Sequence, residues 1–197
     1  MDMALDDLAD VGDEALLVAY ANGDRAAARV LTLRLTPRVL AQAYRMLGDR
    51  AEAEDVAQEA MLRLWKIAPD WRQGEAQVTT WLYRVVANLA TDRLRKGRRM
   101  SGTDIAELPE RTDAAATAPE QMQEDARAAA LQAALADLPD RQREAVVLRH
   151  IEGLGNPEIA EIMDTNVRAV ESLIARGKRA LTAMLAPKRE ELGYDDD

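Results

Sequence analysis

Thr79-Thr80-Trp81-Leu82-Tyr83-Arg84-Val85-Val86-Ala87-Asn88-Leu89-Ala90-Thr91-Asp92-Arg93-Leu94-Arg95-Lys96-Gly97-Arg98-Arg99 is the stretch whose reading decides the fold. It opens on two threonines suited to capping a helix and ends in a basic cluster. No proline or glycine interrupts it before Gly97, so a helix of about five turns fits. On a helical wheel Leu82, Val85, Val86 and Leu89 recur at i, i+3, i+4 and i+7, the stripe of a core-facing helix. Tyr83 and Leu94 form a second apolar edge. The remaining stripe is Trp81, Arg84, Asn88, Asp92, Arg95 and Arg99. Arginine pairs with phosphate or base edges, an amide reads bases, and an indole stacks on an unpaired base. From Arg84 to Arg99 there are six bases and one acid, a balance of +5 in a chain of net −9. Two readings stay open from this stretch: a nucleic-acid face, or a solvated basic helix end favoured by the helix dipole.

Working back, residues 68–78 contain Pro69, Trp71, Gln73, Gly74 and Gln77, a loop leading into the basic helix. An aromatic with two amides at that position suits an extruded base; a Trp71 that anchors the loop by packing is the other reading. The helix before it is expected from a cap at Asp49 to about Ile67, with Ala53, Val56, Ala60, Leu64 and Ile67 inward. Its other side carries Asp55, Gln58, Glu59 and Leu62, with Trp65 one turn on. A solvated face has no need of Leu62 and Trp65. Either a partner both apolar and basic docks there, or a neighbouring helix of the same domain covers them. Before Asp49, Asp24 opens a helix with Ala28, Leu31 and Leu35 inward. Pro37 is expected to break or kink it, and Val39, Leu40, Ala43 and Leu47 carry the stripe on to Gly48. Asp13 is expected to cap a short helix, Glu14 to Ala21, ended by Asn22-Gly23. Residues 1–12 read as an acidic tail.

Working forward, residues 100–118 are rich in Ser, Gly, Thr, Ala, Pro and acids without apolar periodicity, and read as a flexible linker. A second helical unit spans 119–186. Ala128, Leu131, Ala134, Leu135 and Leu138 are its first apolar positions. Pro139 starts a helix that buries Ala145, Val146, Leu148 or Val147, and Ile151, and that Gly153 stops. Asn156-Pro157 reads as an N-cap followed by proline at the first helical position. After the polar turn Asp164-Thr165-Asn166, a cap at Asn166 opens a final helix to about Leu185. The last two helices have helix-turn-helix spacing. Val170, Leu173, Ile174, Gly177 and Leu181 make a narrow apolar arc; Arg168, Glu171, Ser172, Ala175, Arg176 and Arg179 face away. Arginine favours guanine, Glu171 can accept from cytosine and Ala175 can meet a thymine methyl. Residues 187–197 form a second acidic tail.

Composition narrows the function classes. Of 197 residues 48% are hydrophobic but only 4% aromatic, with no phenylalanine. Ala, Leu, Val, Ile and Met dominate, and no alternating strand pattern occurs, so the fold class is all-α. Without cysteine there are no disulfides, thiolate sites or cysteine nucleophiles, and a reducing cytoplasm fits. One histidine, His150, makes no metal cluster, and no nucleophile–base pair is visible. The expectation is a non-enzyme with no metal and no cofactor. Neither a basic-then-apolar leader nor a membrane-length apolar run is present, so no membrane insertion is expected. The acids are segregated: seven with no base over residues 1–24, and seven with one base over residues 101–125.

These residues resemble a known family. Asp55-Val56-Ala57-Gln58-Glu59, then Leu64-Trp65, then Thr80-Trp81-Leu82-Tyr83-Arg84 with Asn88 and Asp92, are similar to region 2 of the bacterial sigma-70 family. Leu138-Pro139-Asp140-Arg141-Gln142-Arg143-Glu144 and the helix-turn-helix are similar to region 4. Two such regions joined by an acidic linker resemble an extracytoplasmic-function (group IV) sigma factor. The resemblance implies that residues 13–99 form the first domain and 119–186 the second. It implies that Asp55, Gln58, Glu59, Leu62 and Trp65 dock on the clamp helices of the polymerase β′ subunit. Trp71, Gln73, Gln77, Trp81, Arg84, Asn88, Arg95 and Arg99 would melt and read the −10 element, and Arg168, Glu171, Ser172, Arg176 and Arg179 the −35 element. Core RNA polymerase (also through its β flap), promoter DNA and an anti-sigma factor are the implied partners. One position departs from the family pattern: where the recognition helix commonly opens Gly-Thr-Val-Lys-Ser-Arg, this chain has Arg168-Ala169-Val170-Glu171-Ser172-Leu173, with glutamate for lysine. Two other classes fit the residues less well. A sigma mimic that sequesters an anti-sigma factor would waste the basic stripe, and a dimeric helix-turn-helix repressor would not need the Asp55–Trp65 face.

Overall fold

Each unit is built from helices whose buried stripes the sequence dictates. The computed structural model describes residues 8, 10–74, 77–100, 119–189 and 193, and for 98–100 and 119–122 the backbone alone. Of the linker expected over 100–118, residues 101–118 lie outside the described residues, as do most of both acidic tails, and Met100 is the last residue of a helix instead. Eight α-helices and no strand occur among the described residues. The chain divides into two compact units, Met1–Tyr44 with Arg50–Asp92 and Arg45–Asp49 with Arg93–Asp197.

The first unit holds α1 (Asp13–Ala21), α2 (Arg25–Leu47) as far as Tyr44, α3 (Arg50–Ile67), a 3-10 turn at Ala68–Asp70, and α4 (Val78–Met100) as far as Asp92. Asp13 is not the cap of α1. Gly12 takes that place, and Asp13 is the first helical residue, with its carboxylate held 2.5 Å from the Arg34 guanidinium. That guanidinium also donates to the Val11 carbonyl at 2.9 Å, so a cation on α2 fixes the start of α1 and draws the carboxylate from capping. Asp24 does cap: its Oδ1 accepts from the Ala26 and Ala27 amides at 2.8 and 3.2 Å. α2 then runs unbroken through Pro37, against expectation. Leu31, Leu35, Val39 and Ala43 are all buried on one stripe. Burying each large side chain contributes about 1.5–3 kcal/mol, and the sum on both sides of the proline offsets the roughly 3 kcal/mol of its missing N–H and ring clash. Gln42, fully buried on the same helix, donates from Nε2 to the Tyr83 carbonyl at 3.1 Å and so ties α2 to α4.

The second unit holds α5 (Pro119–Ala136), α6 (Asp140–Val146) continued by a π turn at Val147–Ile151, α7 (Asn156–Ile162) and α8 (Val167–Leu185). Leu135, Leu138, Val146 and Val147 form its central cluster, with Leu131, Ile151, Ala180, Leu181 and Met184 packed around it. Ala128, expected among these, is exposed. The π turn, closed by the Glu152 amide on the Val147 carbonyl at 3.0 Å, adds a residue to the turn. Every residue from Arg143 to Leu148 is buried, and at the start of the wider turn Val147 and Leu148 both lie inside, where a 3.6-residue period would choose between them. Arg143 fills a polar role in this core. Its guanidinium donates to the carbonyls of Leu135, Ala136 and Leu138 at 2.7, 2.7 and 3.1 Å, gathering the carbonyls around the C-terminal end of α5. Asn156 does not cap α7. Gly155 precedes the helix, and its amide donates to the Glu158 carboxylate at 2.8 Å. Asp164 adopts the left-handed conformation (φ 48°) in the turn before α8, which a short polar side chain tolerates.

Two stability predictions arise here. Burial lifts the Glu144 carboxyl from its ordinary 4.5 to about 7; Arg141 pulls it back and Asp140 adds to the rise. The folded state therefore holds a proton that the unfolded chain has released between pH 4.5 and 7. Stability of the C-terminal unit falls as pH rises through that window and stays lower above it. Glu144→Gln is expected to flatten this dependence and to stabilise the chain at pH 8 by up to about 3 kcal/mol, read from urea melts at pH 5 and pH 8. Gly177 is buried in the middle of α8, and a Cβ there would lie 2.6 Å from Val146 Cγ2 and 3.3 Å from the Gln142 carbonyl. Gly177→Ala should thus lower stability by about 1–3 kcal/mol through overpacking. Helix propensity alone would raise it by about 1 kcal/mol, so the sign of the change in the same melts decides between the two effects.

Candidate nucleic-acid interface

On α4, Leu82, Tyr83, Val86, Ala87 and Ala90 are buried, which turns Arg84, Asn88 and Arg95 outward, all exposed. At 100° per residue these three fall within about 40° of one another, and Arg84 to Arg95 spans about 16 Å of helix. That is the length of roughly five nucleotides at 3.4 Å per base. Trp81 stands at the edge of this face, half-buried. Trp71 comes from the preceding loop and meets it edge-on, with ring centroids 6.1 Å apart and planes at 88°. Trp71 is thereby anchored, and its Nε1 is buried without a hydrogen-bond partner. Gln73 and Gln77, in the same loop, are exposed. Arg99 lies on the backbone of α4, with its side chain outside the described residues.

On α3, Asp55, Gln58 and Leu62 are exposed, and Leu62 keeps 56% of its surface. Glu59 is half-buried and paired with Arg63 one turn on, at 2.8 Å. Trp65 packs edge-on against Tyr20 of α1, centroids 4.8 Å apart. A groove runs between α3 and α2, lined by Ala57, Gln58, Met61 and Leu62 from the former and by Thr36 and Leu40 from the latter. Leu33, 65% exposed, lies one turn before Thr36 on α2. The contribution of α2 to this surface escapes a sequence reading that uses its apolar residues for the core; the signal was Leu33 and Leu40 standing off the Leu31–Leu35–Val39 stripe.

On α8, Val170 and Gly177 are buried and Leu173, Ile174 and Leu181 half-buried, while Arg168, Glu171, Ser172, Ala175, Arg176 and Arg179 are exposed. Asn166 caps the helix through Oδ1 to the Ala169 amide at 2.9 Å. Arg176 donates from Nε to the Ser172 carbonyl at 3.2 Å. The outward face carries three cations, one carboxylate, one hydroxyl and one methyl, all groups with partners on base edges or phosphates.

Residues 31–100 match the family described as Sigma-70 region 2, and residues 128–181 the family described as Sigma-70, region 4. The ECF RNA polymerase sigma factor SigE of Mycolicibacterium smegmatis is 36% identical over 175 residues, covering 87% of this chain and 67% of SigE. The RNA polymerase sigma-H factor of Pseudomonas aeruginosa is 33% identical, covering 91% of this chain and 96% of that protein. The chain belongs to the extracytoplasmic-function sigma factors of the sigma-70 family. Among solved structures, CnrH in complex with the cytosolic domain of CnrY is 28% identical with a TM-score of 0.62, covering 89% of this chain and 97% of CnrH. The sigma factor RpoE of Bartonella quintana, solved with the anti-sigma factor NepR, shares the fold at 21% identity and a TM-score of 0.62, covering 79% of this chain and 94% of RpoE. As a sigma factor the protein binds core RNA polymerase and directs promoter-specific initiation of transcription. Among the described residues no helix is long and apolar enough to cross a membrane.

Proposed function

We propose that this sigma factor divides its work among three surfaces. The α2–α3 groove with Asp55, Gln58, Glu59, Leu62 and Trp65 docks on the β′ clamp helices. Residues 13–99 open and read the −10 element through α4 and the Trp71 loop. Residues 119–186 read the −35 element through α8 and meet the β flap. The observation that carries the reading is the outward alignment of Arg84, Asn88 and Arg95 on one face of α4. A core helix with that face solvated would serve as well with lysine and glutamate; an amide between two arginines matches base and backbone chemistry. Trp71 acts in this reading as the support that orients Trp81, and Trp81 supplies the stacking surface for an unpaired base. The net charge of −9 keeps the free protein off DNA, because phosphate neutralisation needs cations in excess; polymerase supplies the attraction. An anti-sigma factor that covers the α2–α3 groove would block polymerase, and the complexes of CnrH and RpoE with their partners support such regulation here. Neither a mimic nor a plain repressor accounts for all three surfaces. The test is run-off transcription with core polymerase on the promoter of its own operon. A transcript dependent on this chain, and reduced when Arg84 and Asn88 become alanine, supports the reading; none at any cognate promoter overturns it.

A further inference from the structure

Gln42 stands in the apolar stripe of α2. Among the described residues of the first unit it is the one buried side chain that is neither apolar nor aromatic. Its Nε2 donates to the Tyr83 carbonyl of α4 at 3.1 Å, while its Oε1 is buried without a hydrogen-bond partner. A buried acceptor left unpaired costs stability, and an apolar side chain of the same shape avoids that cost. Stability therefore does not account for an amide at this position; the direction of its one bond does.

The residues of α4 show what that bond decides. Seven of the nine from Leu82 to Ala90 are apolar or aromatic, and at 100° per residue they cover an arc of about 200°. A core-facing stripe needs only about 100°, so apolar burial alone admits a range of rotations of α4 about its own axis. In the setting observed, Leu82, Tyr83, Val86, Ala87 and Ala90 are buried, and Val85 and Leu89 are half-buried. A rotation of about 30° would shift the Tyr83 carbonyl by roughly 1 Å and the side-chain ends by roughly 3 Å. The lengths of good hydrogen bonds span only about 0.5 Å, so such a rotation breaks the Gln42 bond and any bond from this helix to a base edge. We infer, on the reading that the outward face of α4 meets the −10 element, that Gln42 is a positioning residue for that face. By holding the carbonyl that directly precedes Arg84 in the chain, it fixes the rotation of α4 and aims Arg84, Asn88 and Arg95 together.

Gln42→Met keeps the length of the side chain and removes its donor. The full-length variant, loaded on core polymerase, is titrated with a fluorescent single strand carrying the −10 element of the promoter of its own operon. Affinity for that strand is expected to fall about tenfold, the worth of one well-placed base contact. The penalty for substituting each −10 base in turn should shrink as well, which a purely structural role would not change. Affinity for core polymerase should be unchanged, and the urea midpoint should hold or rise. A midpoint lowered in both Gln42→Met and Gln42→Leu would make Gln42 a packing residue and overturn the inference. Asn88→Ala in the same titration separates the two levels. Weaker binding in Asn88→Ala beside full affinity and base discrimination in Gln42→Met overturns the positioning role alone. Full affinity in both removes the −10 reading of α4 and the positioning role with it.

Discussion

Leu62→Glu is expected to weaken binding to core polymerase by roughly 30- to 1000-fold, with the fold intact. Leu62 is 56% exposed on α3 and lines the groove that Thr36 and Leu40 complete from α2. An apolar anchor at the centre of an interface contributes about 2–4 kcal/mol when lost, which is that range of affinity. In the free protein the same side chain faces water, so its replacement should shift unfolding by less than about 0.5 kcal/mol. Leu64, two residues on and fully buried, is the internal contrast: Leu64→Glu should unfold the first unit. Asp55→Ala and Gln58→Ala belong to the rim and should each weaken binding by about tenfold or less. Fluorescence anisotropy of labelled chain titrated with core polymerase, beside urea melts of each variant, separates these outcomes. Unchanged affinity in Leu62→Glu would assign the groove to another partner and remove the clamp-docking reading.

How far the sequence could be read follows from where its period is simple. Helices with one buried stripe, such as α4 and α8, were legible in type, face and approximate ends, because a 3.6-residue period and a cap such as Asn166 leave few alternatives. The all-α class and the helix-turn-helix followed from these. The period failed over residues 143–148, where six consecutive positions are buried, the last two of them at the start of the π turn. It also gave no warning that Arg143 and Glu144 are core residues, since their charge argues for the surface until the carbonyls of Leu135, Ala136 and Leu138 are brought around the guanidinium. At Pro37 the local rule gave a break or a kink; the helix does not break there, because the apolar stripe that the sequence continues past the proline through Val39 and Ala43 is buried on both sides of it. At the surfaces, Arg84, Asn88 and Arg95 were placed on one face by spacing alone. Spacing could not reveal that Trp71 is held against Trp81 or Trp65 against Tyr20, because both depend on contacts between elements.

Arg176→Ala is expected to lower initiation at a cognate promoter by roughly ten- to a hundredfold, and Glu171→Lys to broaden the promoters accepted. Arg176 lies midway along the exposed face of α8, where its Nε is held by the Ser172 carbonyl at 3.2 Å. That bond fixes the plane of the guanidinium and leaves the terminal nitrogens to meet the O6 and N7 of a guanine. A bidentate contact of that kind discriminates by about 1–3 kcal/mol, which converts to the stated range. Glu171 stands one residue before Ser172, at the position where the family commonly carries lysine. A carboxylate there repels phosphate and can accept only from a base donor such as the cytosine amine, so it selects more than it attracts. Lysine would reverse the balance by adding a phosphate contact common to every sequence. Initiation should then rise on weak −35 elements and its salt dependence should steepen by about one counterion. Transcription from a library with randomised −35 bases reads both effects at once. In Arg176→Ala one base position should lose its preference; in Glu171→Lys a different position should, while total output holds or rises. Base preferences unchanged in both variants would mean that α8 does not read the −35 element, whatever its likeness to region 4.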